Sequence, residues 1–299
     1  MAPKGRTRDL LTTADGRSVC FAQWGDLSGF PVVFMHGTPG GRLNRHPDEG
    51  VYVELGIRWI TYDRPGYGGS DRLAGRSIVS CVTDVAAIVD ALGIERFAVT
   101  GSSGGGPHVL AVAAQLGHRV ARARCNVGLA PYGAAGLDFF AGMDPLNVAE
   151  FEWALEGEAR LAPELERELS ELAERLSADQ AQLMIGDEWD LDESDRAVLA
   201  EPSAADVNRQ VATELVTSGK WGWVDDSLAF VGPWGFAVED ISVPIRVTYG
   251  SKDVVIPPQH GAWLGAHIPG AEVIVDDSSG HLEDLEAVRR SLQWLVEPG

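Results

Sequence analysis

The stretch Val99-Thr100-Gly101-Ser102-Ser103-Gly104-Gly105-Gly106-Pro107 sets two adjacent serines among four glycines, directly after an apolar run. A serine becomes a nucleophile when a neighbouring base takes its proton and nearby N–H groups hold the charge its attack creates. Ser103 has glycine two residues before and two after, Gly101 and Gly105, completing G-x-S-x-G; Ser102, between Thr100 and Gly104, does not. In that pattern a strand turns sharply into a helix. The serine is forced into a strained backbone region, and its flanks leave no room for side chains. A helix over 107–117 aims free N–H groups and the positive end of its dipole at the same point, and the Gly104 N–H faces the developing oxyanion. A dinucleotide loop needs G-x-G-x-x-G and a P-loop needs G-K-[ST]; this turn is neither.

The rest of such a site must come from elsewhere in the chain. A second oxyanion donor is expected from His36-Gly37-Thr38-Pro39-Gly40-Gly41, where a strand runs into a glycine-rich loop, and the Thr38 N–H is the candidate. Of seven histidines, His281 lies in a loop just past a strand-like run, where a side chain reaches the carboxyl edge of a sheet. It is the expected base. His36 belongs to the oxyanion loop and is expected to position it, His108 and His118 fall in or at the end of the helix after Ser103, and His46, His260 and His267 read as surface or helix residues. The orienting carboxylate is expected at Asp253, after the turn Gly250-Ser251-Lys252, with Asp276 and Asp277 as weaker alternatives. Asp63 is expected to tie down its own loop.

Positioning these groups requires a sheet. Short apolar runs at 31–35, 57–62, 97–100, 123–129, 245–249 and 272–275 alternate with helical periodicity at 79–92, 107–117, 258–267 and 283–295, which predicts β-α-β crossovers and a mainly parallel sheet. Runs at 8–11 and 18–24, joined through Ala14-Asp15-Gly16, read as a leading hairpin. Residues 132–236 differ in kind. They hold 23 Asp/Glu against 6 Lys/Arg, a net −17 of the chain's −20, with helical periodicity over 163–176 and no strand-like run. We expect a core of 1–131 and 237–299 and a helical, acidic cap over 132–236 that acts as a lid. Phe139, Phe140, Trp153, Trp189, Trp221, Trp223, Phe230, Trp234 and Phe236 supply its aromatics; most should pack the lid on the sheet, and some should line an apolar pocket beneath it. The lid's charge could also steer a cationic substrate.

A 299-residue chain that is 45% hydrophobic can build a core without metal or disulfide staples. Its formal charge of −20 argues against a nucleic-acid partner. Cys20, Cys81 and Cys125 are odd in number and far apart, and read as buried free thiols in a reducing compartment. No signal-peptide h-region and no apolar run of membrane-spanning length is present, so a cytoplasmic location without membrane contact is expected.

Five pieces in order, HGTPGG (36–41), DRPGYGGSD (63–71), GSSGG (101–105), GSKDVVIPP (250–258) and SGHLED (279–284), resemble the capped, serine-nucleophile branch of the α/β-hydrolase superfamily. Together they sit within about half of the chain. The resemblance implies an eight-stranded α/β sheet with helices on both faces, a helical cap, no cofactor or metal, and an acyl-enzyme mechanism through Ser103, Asp253 and His281. Relatives that use an aspartate at the elbow, dehalogenases and epoxide hydrolases, are excluded by Ser103. The iminopeptidase branch resembles the 36–41 loop but usually has a bulky residue where this chain has Gly104, and the glycines after Ser103 also resemble the perhydrolase branch. The expected activity is hydrolysis of a small, apolar carboxylic ester or lactone by a monomer or homodimer. An aminopeptidase or amidase, a perhydrolase, a lyase and a non-catalytic small-ligand receptor stay open as alternatives.

Overall fold

The computed structural model describes residues 6–178 and 189–297. Eight strands form one sheet: β1 (Arg6–Thr12), β2 (Ser18–Gly25), β3 (Phe30–Met35), β4 (Ile57–Tyr62), β5 (Phe97–Ser102), β6 (Val120–Asn126), β7 (Ile245–Gly250) and β8 (Glu272–Asp276), in the order β1-β2-β4-β3-β5-β6-β7-β8. β2 runs antiparallel to β1 and β4, and every other pairing is parallel. Central strands are covered on both faces, which is why they read in sequence as unbroken apolar runs rather than as alternation. β8 is the exception: an edge strand, it exposes all five of its residues.

One face carries α2 (Cys81–Ala91), α3 (Gly106–Gln115) and α9 (Pro258–His267), packed over Val33, Met35, Val99 and Val247. The other carries α1 (Gly50–Glu54) and α10 (Leu285–Val296), which bury Tyr52, Leu292 and Leu295 against Trp24, Trp59 and Ala98. Cys20, Cys81 and Cys125 are all buried and unpaired.

The chain between β6 and β7 forms the helical cap: α4 (Pro145–Glu156), α5 (Glu158–Ser177), α6 (Glu193–Leu199), α7 (Ala205–Ser218) and α8 (Trp221–Val231). α5 buries Leu161, Leu165, Leu169 and Leu172, a stripe at helical spacing, while Glu158, Glu166 and Glu174 face water. It begins five residues before the expected start at Pro163, so that proline lies inside the helix, where it has no N–H to donate to the carbonyl four residues back. Among the described residues no helix is long and apolar enough to cross a membrane.

Candidate active site

Ser103 follows the last residue of β5 and opens a short 3-10 turn that leads into α3. Its φ is +56°; among the described residues only Val127 is another non-glycine with positive φ. Such a conformation costs on the order of 1–3 kcal/mol and lifts the side chain clear of the sheet edge. The glycines around it answer to close packing. A Cβ on Gly105 would overlap the Met35 carbonyl, and one on Gly104 would overlap the Thr38 hydroxyl, lying 2.7 Å from Thr38 Cβ and 2.9 Å from Phe230 Cζ. Thr38 and Phe230 thus fill the volume that a bulky residue after the serine would need. Gly104→Ala should destabilise the fold by about 1–3 kcal/mol and push the Thr38 loop off the serine turn. Urea unfolding and ester turnover should fall together, whereas loss of neither would contradict this packing.

Asp253 sits after β7 in a turn that its own Oδ1 holds, accepting from Val255 N–H (2.8 Å) and Ile256 N–H (2.9 Å). Its Oδ2 accepts from His281 Nδ1 at 2.8 Å, with both side chains buried. That bond fixes the proton on Nδ1 and leaves Nε2 as a lone-pair acceptor. Burial disfavours the imidazolium, but the charge and hydrogen bond of Asp253, with the nearby Asp195, outweigh it and raise the His281 pKa above its ordinary value. Asp276, the weaker alternative, is exposed and spends its Oδ1 on Ser278. Ser103, His281, Thr38 and Gly104 all line one cavity of about 730 Å³. The hydroxyl of Ser102 instead accepts from Asn126 Nδ2 at 3.2 Å.

The Thr38 loop lies against the serine: a Cβ on Gly37 would sit 3.7 Å from Ser103 Cβ. Behind the loop is a buried charged cluster. Asp226, on cap helix α8, accepts from Thr38 Oγ1 (2.7 Å), Tyr67 Oη (2.9 Å) and Arg64 Nη2 (2.5 Å), and pairs with Arg76 at 2.6 Å. Arg64 Nη2 also donates to Gly37 O (3.0 Å) and Thr38 Oγ1 (2.9 Å). His36 Nδ1 donates to Gly37 O at 2.7 Å, and its Nε2 accepts from the Arg64 N–H at 3.3 Å, so the ring is neutral and buttresses the loop. Burial and Arg64 lower its pKa well below the ordinary histidine value. His108 Nδ1 donates to Gly104 O at 2.9 Å; burial and Arg64 push that ring down to about 3, so its 3.8 Å approach to Asp226 is not an ion pair.

None of Arg64, Arg76 and Asp226 stands out as a site residue in the sequence. The available signal is Asp225-Asp226 inside the otherwise apolar run WGWVDDSLAF, where two carboxylates must find partners. Asp63 does tie its own loop, accepting from Arg42 N–H (2.7 Å), Arg42 Nη1 (2.7 Å) and Gly69 N–H (2.9 Å). His260 lies on a helix as expected but is buried, not at the surface, accepting from Ala130 N–H at 3.2 Å and donating to Phe139 O at 2.9 Å. Of the cap aromatics singled out above, Trp153, Trp189, Trp223 and Phe230 line the cavity, joined by Phe151. Phe139 and Trp234 are buried in the main core, with Phe140 and Phe236 packed against it.

The family described as "alpha/beta hydrolase fold" matches residues 31–283. The chain belongs to that family. Its eight-stranded, mostly parallel sheet with a helical cap inserted between β6 and β7 is that fold in this sequence. A proline iminopeptidase of Xanthomonas citri is 28% identical over 307 aligned positions, covering 91% of this chain and 89% of that one. A non-heme chloroperoxidase of Streptomyces lividans is 36% identical over 115 residues, but the match spans 38% of this chain and only 42% of the relative's length. The enol-lactonase of Burkholderia xenovorans LB400 superposes with a TM-score of 0.66 at 20% identity, covering 97% of this chain and 98% of its own. A bromoperoxidase of Bacillus anthracis gives 0.69 at 19% identity, over 97% and 100% of the two chains. At these identities the structural likenesses speak to the fold.

Proposed function

We propose that the protein is a serine hydrolase of small, apolar carboxylic esters or lactones, acting through Ser103, His281 and Asp253. His281 Nε2 takes the Ser103 hydroxyl proton as Oγ attacks the carbonyl carbon. The N–H groups of Thr38 and Gly104 hold the tetrahedral oxyanion, and His281 returns the proton to the departing alkoxide. Water, activated by the same nitrogen, then releases the acid and restores the serine. The observation that carries this reading is the 2.8 Å Asp253–His281 hydrogen bond beside a cavity that Ser103 also lines, because it commits the free imidazole nitrogen to accepting a proton. Trp153, Leu165, Trp189 and Phe230 on the cavity wall favour an apolar acyl or alcohol group.

A second reading, cleavage of an amide beside a free amine, is favoured by one feature. Glu150, Glu168 and Glu171 line the same cavity; Glu150 accepts from the neutral donors Ser227 Oγ (2.7 Å) and Trp223 Nε1 (2.9 Å), while the other two pair with Arg167. The deciding experiment is labelling by a fluorophosphonate, followed by a panel of graded p-nitrophenyl esters, lactones and amino-acid arylamides. Labelling with ester or lactone turnover supports the first reading, and preference for arylamides supports the second. A folded protein that the probe leaves unmodified has no reactive serine, and both readings fail.

A further inference from the structure

The loop that carries His281 is held from two sides: the turn after β7, where Lys252 N–H donates to Ser279 O at 3.1 Å, and the cap. Three consecutive backbone N–H groups point at α6: Gly280 N–H donates to Ser194 Oγ (3.1 Å), His281 N–H to Asp195 Oδ2 (3.0 Å) and Leu282 N–H to Asp195 Oδ1 (2.7 Å). Asp195 has no solvent exposure, and a Cβ on Gly280 would overlap its carboxylate. One residue pair on a cap helix therefore shares, with the turn after β7, in setting the height and tilt of the turn from which the imidazole projects.

We propose that Asp195 is a positioning residue for His281, a cap carboxylate that orients the histidine-bearing turn and places a second negative charge behind the ring. The proposal rests on the serine-hydrolase reading for its consequence in turnover, but not for its geometry. Both Asp195 oxygens accept backbone N–H groups, the arrangement an ionised carboxylate satisfies. When His281 takes the serine proton it becomes a cation with Asp253 on Nδ1 and Asp195 under its backbone. The charged groups acting on the ring are these two, Asp253 from the loop after β7 and Asp195 from α6; Glu283, two residues on, is engaged by Arg124 of β6. Asp195 itself is raised by burial, against which its two N–H donors and His281 work.

The test is Asp195→Asn, which keeps the shape, removes the charge and turns an amide N–H₂ towards one of the two backbone donors. We expect kcat/KM for a good ester to fall about ten- to a hundredfold, with KM nearly unchanged. The acid limb of the pH profile should move to lower pH, because an imidazolium that loses a neighbouring anion releases its proton more easily. Ser194→Ala, which removes the adjacent bond but no charge, should leave that limb in place. Titration of the His281 ring by ¹⁵N NMR reads the same shift without catalysis, so it separates this proposal from the proposed activity: an inactive native protein whose ring pKa still drops in Asp195→Asn defeats only the latter. A folded Asp195→Asn protein with unaltered ring pKa and pH profile overturns the proposal. If the variant does not fold, the native ring must titrate above the ordinary histidine value, and the His281 and Leu282 amide signals must move together as the Asp195 carboxyl titrates at low pH; failure of either also overturns it.

Discussion

Ser103→Ala is expected to lower kcat towards an activated ester by about six orders of magnitude while leaving the fold intact. The fold survives because the turn is held by what surrounds the side chain: the close approach of Gly105 to the Met35 carbonyl, the His108 bond to Gly104 O and the entry into α3. Alanine keeps the Cβ and so inherits the strained φ of +56° without losing a packing contact. In the proposed mechanism turnover collapses because the three side chains act as a unit: with the hydroxyl gone, His281 has no proton to take and Asp253 no imidazolium to stabilise. What remains is binding plus the Thr38 and Gly104 N–H groups acting on water, about a thousand- to ten-thousandfold over solution. Ser102→Ala is the matched control. Its hydroxyl is spent on Asn126, so turnover should stay within a few fold and fluorophosphonate labelling should persist. Equal loss in both variants, or p-nitrophenyl ester turnover retained in Ser103→Ala, would remove Ser103 from the chemistry.

The eight strands and the flanking helices α2, α3, α9 and α10 were legible because each leaves a local mark, whereas the five-residue α1 is too short to show a period. β3 to β7 are short apolar runs closed by glycine or polar turns, and α2 and α3 repeat at helical spacing. β8 was legible for another reason: Glu272-Val273-Ile274-Val275-Asp276 is β-branched enough to read as a strand although all of it is exposed. Ser103, Asp253 and His281 could be singled out as candidates because each lies just past the carboxyl end of a strand, where such a sheet gathers its loops. Asp195 and Asp226 could not. Their partners are 86 and 162 residues away, and nothing local records which face of a cap helix meets which loop. Periodicity reports that a helix has a buried side; it does not report that a buried aspartate on that side will meet an arginine from the sheet edge.

Asp226→Ala is expected to destabilise the protein by about 3–5 kcal/mol, since it strands Arg64 and Arg76 in the interior. Native stability is typically only about 5–15 kcal/mol, so this is a large fraction, and Tm should drop by about 10 °C. Asp225→Ala, one residue earlier, should cost far less, because its partner Arg72 is 28% exposed at the side chain and also pairs with Glu158. The pH dependence has a definite sign. Burial works to raise the Asp226 carboxyl, but Arg64 and Arg76 prevail and hold it well below the ordinary range. In the unfolded chain it takes up a proton near 3.9, and in the folded chain only at much lower pH. Its contribution is therefore complete above the unfolded value and is lost as pH falls from about 4 towards the folded value. Asp226→Asn should flatten that part of the acid-unfolding curve. The same variant should lower turnover, because Asp226 and Arg64 together fix the Thr38 hydroxyl and the Gly37 carbonyl, and misplacing one oxyanion donor costs up to about a hundred- to a thousandfold. A cluster this expensive to break also constrains how the cap moves: swinging α8 away would uncover two unpaired guanidiniums, so substrate should enter past the other cap helices while α8 stays seated. Disulfides placed to pin α8 to the core should then leave turnover intact, and an enzyme silenced by such a crosslink and revived by reduction would show that α8 is the moving part.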